Sequence, residues 1–222
     1  MATQKTKPAV KLGRPDKESL ACKSRGREAT MDRLIEAGIR VFSTYGYDGA
    51  TTKLVANEAA INESLINRYF DGKAGLLLAI IKAFMECERS EGPFAGYPEG
   101  KTLEEDLKNF FVAMHEHHKK RAALTKIFIS RAMVDLKIRD EIRTFTEKGA
   151  PSILVERMRN FQKQGQIRDD VNIPHAASVV GSASFSMNFI NHIVMGTDAK
   201  FVQDAMASFA RDYARGLSPT SH

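Results

Sequence analysis

Two stretches of this 222-residue chain concentrate side chains that could do chemistry. The first holds Thr51, Thr52, Lys53, Asn62, Glu63, Ser64, Leu65, Asn67, Arg68, Tyr69 and Lys73. Hydroxyls, amides and cations of this kind donate hydrogen bonds to phosphate oxygens, which position a protein on a duplex without specifying its sequence. A carboxylate can accept from cytosine N4 and an aliphatic group can pack on a thymine methyl. Glu63 and Leu65, with Tyr69, are therefore the candidates for base edges, and Thr51, Thr52, Lys53, Arg68 and Lys73 the candidates for phosphate. The second stretch, Met114-His115-Glu116-His117-His118, resembles a metal site in composition. On a helix, however, only His115 or Met114 shares a face with His118, and the spacing is not that of zinc hydrolases, so no metal and no cofactor are predicted. With no glycine-rich phosphate loop, no nucleophile elbow and no second carboxylate cluster, an enzymatic reading has no residues to rest on.

Helices must position these groups. Met31, Leu34, Ile35, Gly38, Val41, Phe42 and Tyr45 repeat at three- and four-residue intervals, and Gly46 ends this first helix. Thr51 can cap a short second helix running to Ala59 or Ala60. Asn62 is an N-cap for a third, Glu63 to Phe70, with Ile61 and Ile66 as a hydrophobic staple. Ile61, Ile66 and Phe70 then face Leu34, Val41 and Phe42, which leaves the polar side outward. Two short helices joined by two or three residues, the second well capped, describe a helix-turn-helix. Gly75 to Arg89 reads as a fourth helix and residues 91–100 as a loop rich in Gly and Pro. Thr102 with Glu105 fits a capping box, and further helices are expected over 122–134, 140–163 with a break near Pro151, 174–195 and 198–217. No alternating strand is evident, so the fold class is all-α.

Charge is distributed unevenly. Residues 1–27 carry eight cations against Asp16 and Glu18, which accounts for the whole net charge of +6. Such an arm has too little apolar surface to offset the entropy of ordering and suits a polyanion; a solubilising tail is the alternative. Within it Gly13-Arg14-Pro15 resembles a motif that places arginine in an A/T-rich minor groove. There is no secretory signal, and Cys22 and Cys87 have no ligand or disulfide spacing, so a cytoplasmic protein is expected. Val171 to Thr197 lacks charge but is interrupted by Ser and Asn, which argues against a membrane span.

In this stretch Ala177, Gly181 and Ser184 recur at intervals that permit close helix approach. With Asn188, and with Phe201, Ala205 and Phe209 on the last helix, they suit a homodimer interface; burial within one subunit is the alternative.

The segment AGIRVFSTYGYDGATTKLVANEAAINESLINRYFDGKAGLLLAI resembles the TetR family of bacterial transcription regulators across about residues 29–80. It shares the Ala and Phe of the first helix, Gly-Tyr, the Thr pair, the turn, a recognition helix ending in Tyr-Phe, and the Lys that follows. Gly165-Gln166-Ile167-Arg168 resembles a frequent turn of the same family. With the basic arm read as a flexible segment (1–27), the resemblance implies a DNA-binding domain (28–74) and a helical effector-binding and dimerisation domain (75–217), followed by a tail (218–222). It implies a homodimeric repressor bound to a double-stranded DNA operator and released by a small apolar or amphipathic effector. Ordinary core is the default reading of the Met- and Phe-rich carboxy-terminal helices, but the resemblance implies that Phe111, Met114, His118, Phe128, Met158, Phe161 and Phe185 include the lining of an effector cavity. The fourth helix would link that cavity to the DNA. A regulator without a small effector, or a helical ligand-binding or metal-dependent enzyme, are the competing functions. Two departures stand out: Ala60 occupies the usual turn glycine, requiring positive φ or a shifted turn, and Asn67 replaces a common phosphate-contacting tyrosine.

Overall fold

The computed structural model describes residues 26–91, 96–148 and 152–219. Almost all of the basic arm, including Gly13-Arg14-Pro15, lies outside the described residues. All regular structure among them is helical: α1 (Arg27–Gly49), α2 (Thr52–Ala59), α3 (Ser64–Phe70), α4 (Gly72–Glu91), α5 (Leu103–Ala132), α6 (Leu136–Lys148), α7 (Ser152–Lys163), α8 (Ile173–Phe185) and α9 (Ala199–Leu217). Between α8 and α9 the chain continues as a π-helical segment, Ser186–Val194.

Local signals explain most boundaries. The Thr51 hydroxyl accepts from the Leu54 amide at 3.1 Å and the Thr102 hydroxyl from that of Glu105 at 3.2 Å, satisfying donors that a helix start leaves unpaired. The Glu105 carboxylate turns back to the Lys101 amide at 2.8 Å, one residue earlier than a reciprocal box would place it. Asn172 and Asp198 cap α8 and α9 in the same way. Gly46, at φ 69°, breaks α1 as expected, though a last helical turn reaches Gly49. One expectation is corrected: the stretch 122–134 is no separate helix but the end of a single 30-residue α5. No Gly or Pro falls between Leu103 and Ala132, so nothing interrupts the ladder.

Two hydrophobic clusters share α5. The first joins Leu34, Phe42, Val55 and Ile66 to Leu76, Leu77, Ile80 and Ile81 of α4, and is completed by Leu124, Ile127 and Phe128 near the end of α5. Core packing thus runs across residue 74 without interruption. The second gathers Leu107, Phe110, Phe111 and Met114 from the start of α5 with Leu154, Met158, Val180, Val202 and Met206. At 1.5 Å per residue α5 is about 45 Å long, enough to pass through both.

A buried ion pair fixes the loop before α5. Asp106, fully buried, accepts from Arg157 Nη1 at 2.9 Å, from the Tyr97 hydroxyl at 2.7 Å and from the Gly100 amide at 3.0 Å. Arg157 also donates to the carbonyl oxygens of Tyr97 and Pro98 and lies 4.0 Å over the Tyr97 ring. Burial first, then the Asp106 charge, holds the Tyr97 phenol far above its ordinary range, so it acts as a neutral donor. In sequence, Asp106 was the only acid inside an apolar stripe (Leu103, Leu107, Phe110) and Arg157 sat between Leu154, Met158 and Phe161. That is the signal by which the pair could have been found.

Candidate nucleic-acid interface

Packing and exposure divide α3 by face. Ile66 is fully buried, Phe70 nearly so, and Ile61, Leu65 and Tyr69 are half-buried against the same cluster. Asn62, Glu63, Ser64, Asn67 and Arg68 are exposed, as are Thr51 and Lys53, with Thr52 half-buried. Asn62 Oδ1 accepts from the Ser64 amide at 2.9 Å, so it does cap the start of α3, although the regular helix begins one residue later than expected. The Thr52 hydroxyl donates to Glu63 Oε1 at 2.6 Å, which ties the start of α2 to the start of α3 and holds the Glu63 carboxylate in one place. Tyr69 lies beneath two guanidinium groups, with Arg27 5.3 Å and Arg68 5.8 Å from its ring centroid.

Lys73 has more than one partner within the chain. Its ammonium donates to the carbonyl oxygens of Tyr47 at 2.7 Å and Ala50 at 2.8 Å and stands 4.4 Å from the Tyr47 ring centroid. Arg131, from the far end of α5, lies on the same ring at 4.4 Å. Burial is the main cause that raises the Tyr47 phenol above its ordinary range. Lys73 therefore fastens α4 to the end of α1, and a phosphate would compete for its remaining proton. Arg33 Nη2 similarly donates to the Ala59 carbonyl at 2.6 Å, closing the end of α2.

The turn between α2 and α3 resolves the first sequence departure. Ala60 takes the left-handed conformation, φ 52° and ψ 49°, and its amide and that of Ile61 close on Asn57 and Ala56 as a helix-ending turn does. The turn keeps its geometry and the alanine is strained, by about 1 to 2 kcal/mol. Ala60→Gly is accordingly expected to raise the unfolding free energy by about 0.5 to 1 kcal/mol, the strain relief being partly offset by the greater freedom of glycine when unfolded. A urea melt in which the midpoint rises and the slope stays constant checks this.

The remaining candidates do not form single clusters. Phe111, Met114, Met158 and Phe161 lie in the second core, whereas Phe128 lies in the first, edge-on to Phe84 with centroids 5.2 Å apart. His118 and Phe185 meet each other at 5.5 Å. Of the residues assigned to an interface, Ala177, Ser184 and Asn188 are 0%, 0% and 2% exposed, so their side chains are committed within the subunit. Ala177 and Ser184 of the small-residue stripe turn inward, onto the subunit's own core, whereas Gly181 does not. On α9, Phe201 is 61% exposed and Ala205 and Phe209 are half-buried; Val179 on α8 is also exposed, and Gly181 faces open space. No helix among the described residues is long and apolar enough to cross a membrane, and no group of three His, Cys, Asp or Glu among them could hold a metal ion.

A compact helix-turn-helix, with an apolar face locked into a three-helix head and a polar face open to solvent, on a helical body defines a DNA-binding regulator. The family described as "Bacterial regulatory proteins, tetR family" matches residues 34–80. The chain is 26% identical to the HTH-type transcriptional regulator UidR of Escherichia coli K12 over 149 residues, 65% of this chain and 72% of that protein. It is 22% identical to the HTH-type transcriptional repressor NicS of Pseudomonas putida over 86% of this chain and 93% of that one. The solved structure of Salmonella enterica GusR superposes with a TM-score of 0.65 at 20% identity, covering 85% of this chain and 95% of GusR. Residues 34–80 therefore form a DNA-binding domain of the TetR type, and the protein is a DNA-binding transcriptional regulator.

Proposed function

We propose that the protein is a homodimeric repressor whose α3 helices enter successive major grooves of an operator and are withdrawn when a small effector binds the helical body. The carrying observation is the outward face of α3, where Glu63 is held by Thr52 beside exposed Ser64, Asn67 and Arg68. Glu63, Leu65 and Tyr69 read base edges; Thr51, Lys53 and Arg68 set the register on phosphate; Lys73 acts mainly by holding α4 to α1. The dimer forms through the outer faces of α8 and α9, with Phe201 and Val179 supplying exposed apolar surface and Gly181 allowing close approach. Two α3 helices then span about one DNA turn, roughly 34 to 36 Å.

Coupling to the body runs through α5 as well as α4. The Arg131 end of α5 grips Tyr47 at the end of α1, and Arg121 lies 5.0 Å over Phe84 of α4. A tilt of α5 therefore reaches the head directly. A tenfold change in operator affinity requires about 1.4 kcal/mol of differential effector binding.

Selection of duplexes from a random pool, followed by sedimentation with and without the selected DNA, tests this reading. Two subunits per palindromic site are expected, and Phe201→Glu should shift the free protein toward monomer; a monomer on a single half-site overturns the dimer. Glu63→Ala should relax selectivity by about 1 to 3 kcal/mol at one base pair of each half-site. Equal weakening on all sequences would remove Glu63 from base reading.

A further inference from the structure

The contact between the middle of α5 and the π-helical segment contains an arrangement that neither core nor DNA binding uses. His115 and His118, one turn apart on α5, face two columns of side chains on the opposing strand of helix. His115 meets the polar column: its Nδ1 lies 3.0 Å from Asn188 Oδ1, Asn188 Nδ2 donates to Ser184 Oγ at 3.2 Å, and the His192 ring stacks on His115 at 5.1 Å. His192 is itself fixed, with Nδ1 2.8 Å from the Thr197 carbonyl oxygen. His118 meets the aromatic column, with Phe185 at 5.5 Å and Phe189 at 6.1 Å, and Phe185 stacks on Phe189 at 5.0 Å.

The polar column is satisfied; the aromatic one is not. His118 is 7% exposed, and its Nε2 has no hydrogen-bond partner among the described residues. Burial, with the charges of His117 and His115 added and no carboxylate offsetting them, pushes this imidazole down to about 3, so it is neutral at physiological pH. A buried unpaired polar atom is destabilising, a cost that an apolar residue at this position would avoid. The wall facing it is π-helical, a conformation rare in folded proteins and found mostly as short bulges at functional sites. Each of its hydrogen-bonded loops closes over one residue more than in an α-helix.

We propose that His118 Nε2 is the polar anchor of the effector site, and that the effector is an anionic amphipath: a carboxylate accepting the Nε2 hydrogen bond, with an apolar body against Phe185 and Phe189. This rests on the effector reading above and assigns its ligand class. A cation is disfavoured because the segment Ser186–Val194 carries no acid, the neighbouring groups are imidazoles, and Asp106, the buried acid among the described residues, is already neutralised by Arg157. A neutral apolar molecule would leave Nε2 unpaired. The site also lies on the helix that ends at Arg131 and Tyr47, so displacing α5 here moves the head.

The probes are decanoate and phenylbutyrate, each paired with its methyl ester, on the full-length protein. The acids should raise the melting temperature, weaken operator binding and bind at least about tenfold more tightly than their esters, a difference of about 1.4 kcal/mol. In protein labelled with nitrogen-15 histidine, the acids should move the His118 imidazole resonances, assigned by their loss in His118→Phe, more than those of His175 on the outer side of α8. His118→Phe should melt no lower than the wild type and lose the preference for acid over ester. Esters binding as tightly as acids would overturn the anion assignment while leaving the effector reading intact. Acid binding unchanged in His118→Phe, or acids that leave the His118 resonances still, would overturn the placement. If neither acids nor esters bind, the proposal falls; a parallel melting screen of neutral and cationic apolar compounds then judges the effector reading by itself, since a hit that weakens operator binding preserves it.

Discussion

Asp106→Ala is expected to cost about 3 to 5 kcal/mol of stability, because it strands the Arg157 guanidinium, the Tyr97 hydroxyl and the Gly100 amide in the interior at once. The ion pair is a poor source of net stability when intact, since two charges had to leave water to form it. Its effect appears when one partner is removed. A double replacement, Asp106→Leu with Arg157→Met, should therefore be much less damaging than the sum of the single changes. Chemical denaturation of Asp106→Leu, Arg157→Met and the double variant forms the cycle, and a loss below about 1 kcal/mol for Asp106→Ala would show that the loop relaxes and lets water reach Arg157. The loss should also release the loop before α5, since Arg157 holds it through the carbonyl oxygens of Tyr97 and Pro98.

Gly75→Ala is expected to be nearly as severe and to strike DNA binding first. A methyl group there would overlap the Phe70 carbonyl oxygen and lie 2.7 Å from its carbonyl carbon, so the clash is with backbone that no rotamer change relieves. Phe70 is the last residue of α3, and moving it moves the whole seven-residue recognition helix. Overpacking costs about 1 to 3 kcal/mol, and a clash with backbone puts this substitution at the upper end. Losing register at two base contacts would lower operator affinity roughly a hundredfold. Gly216→Ala, on an exposed turn of α9 with open space around the added carbon, serves as the control and should be neutral or slightly stabilising. Comparable operator affinity for Gly75→Ala and the wild type would mean that α3 and α4 can separate without consequence.

Much of the head was legible in the sequence because its determinants are local. Thr51 and Asn62 are recognised as caps from their neighbours alone, as Thr102 is in the body, and the spacing of Ile61, Ile66 and Phe70 divides α3 into an inner and an outer face. Ala60 was recognisable as a strained position for the same reason: a turn of fixed length demands a left-handed residue wherever it occurs. The choice between strain and a shifted turn was tertiary. Ile61 and Ile66 had to reach one core, and that requirement held Ala60 at φ 52°.

The all-helical class, the helix-turn-helix and its likeness to the TetR head are encoded in contacts a few residues apart, which is why a local reading finds them. The use of long-range polar groups and the facing of the body helices were settled by packing between elements distant in sequence. Periodicity identified a small-residue stripe on α8 but not its direction, and Ala177, Ser184 and Asn188 turned inward because α5 and α9 offered apolar and histidine surface there. Lys73, Tyr47 and Arg131 are separated by 26 and 84 positions in sequence, and no local rule joins them. Pairing of Asp106 with Arg157, and the unpaired Nε2 of His118, arise because burial removes water from groups whose partners are chosen by how the helices pack.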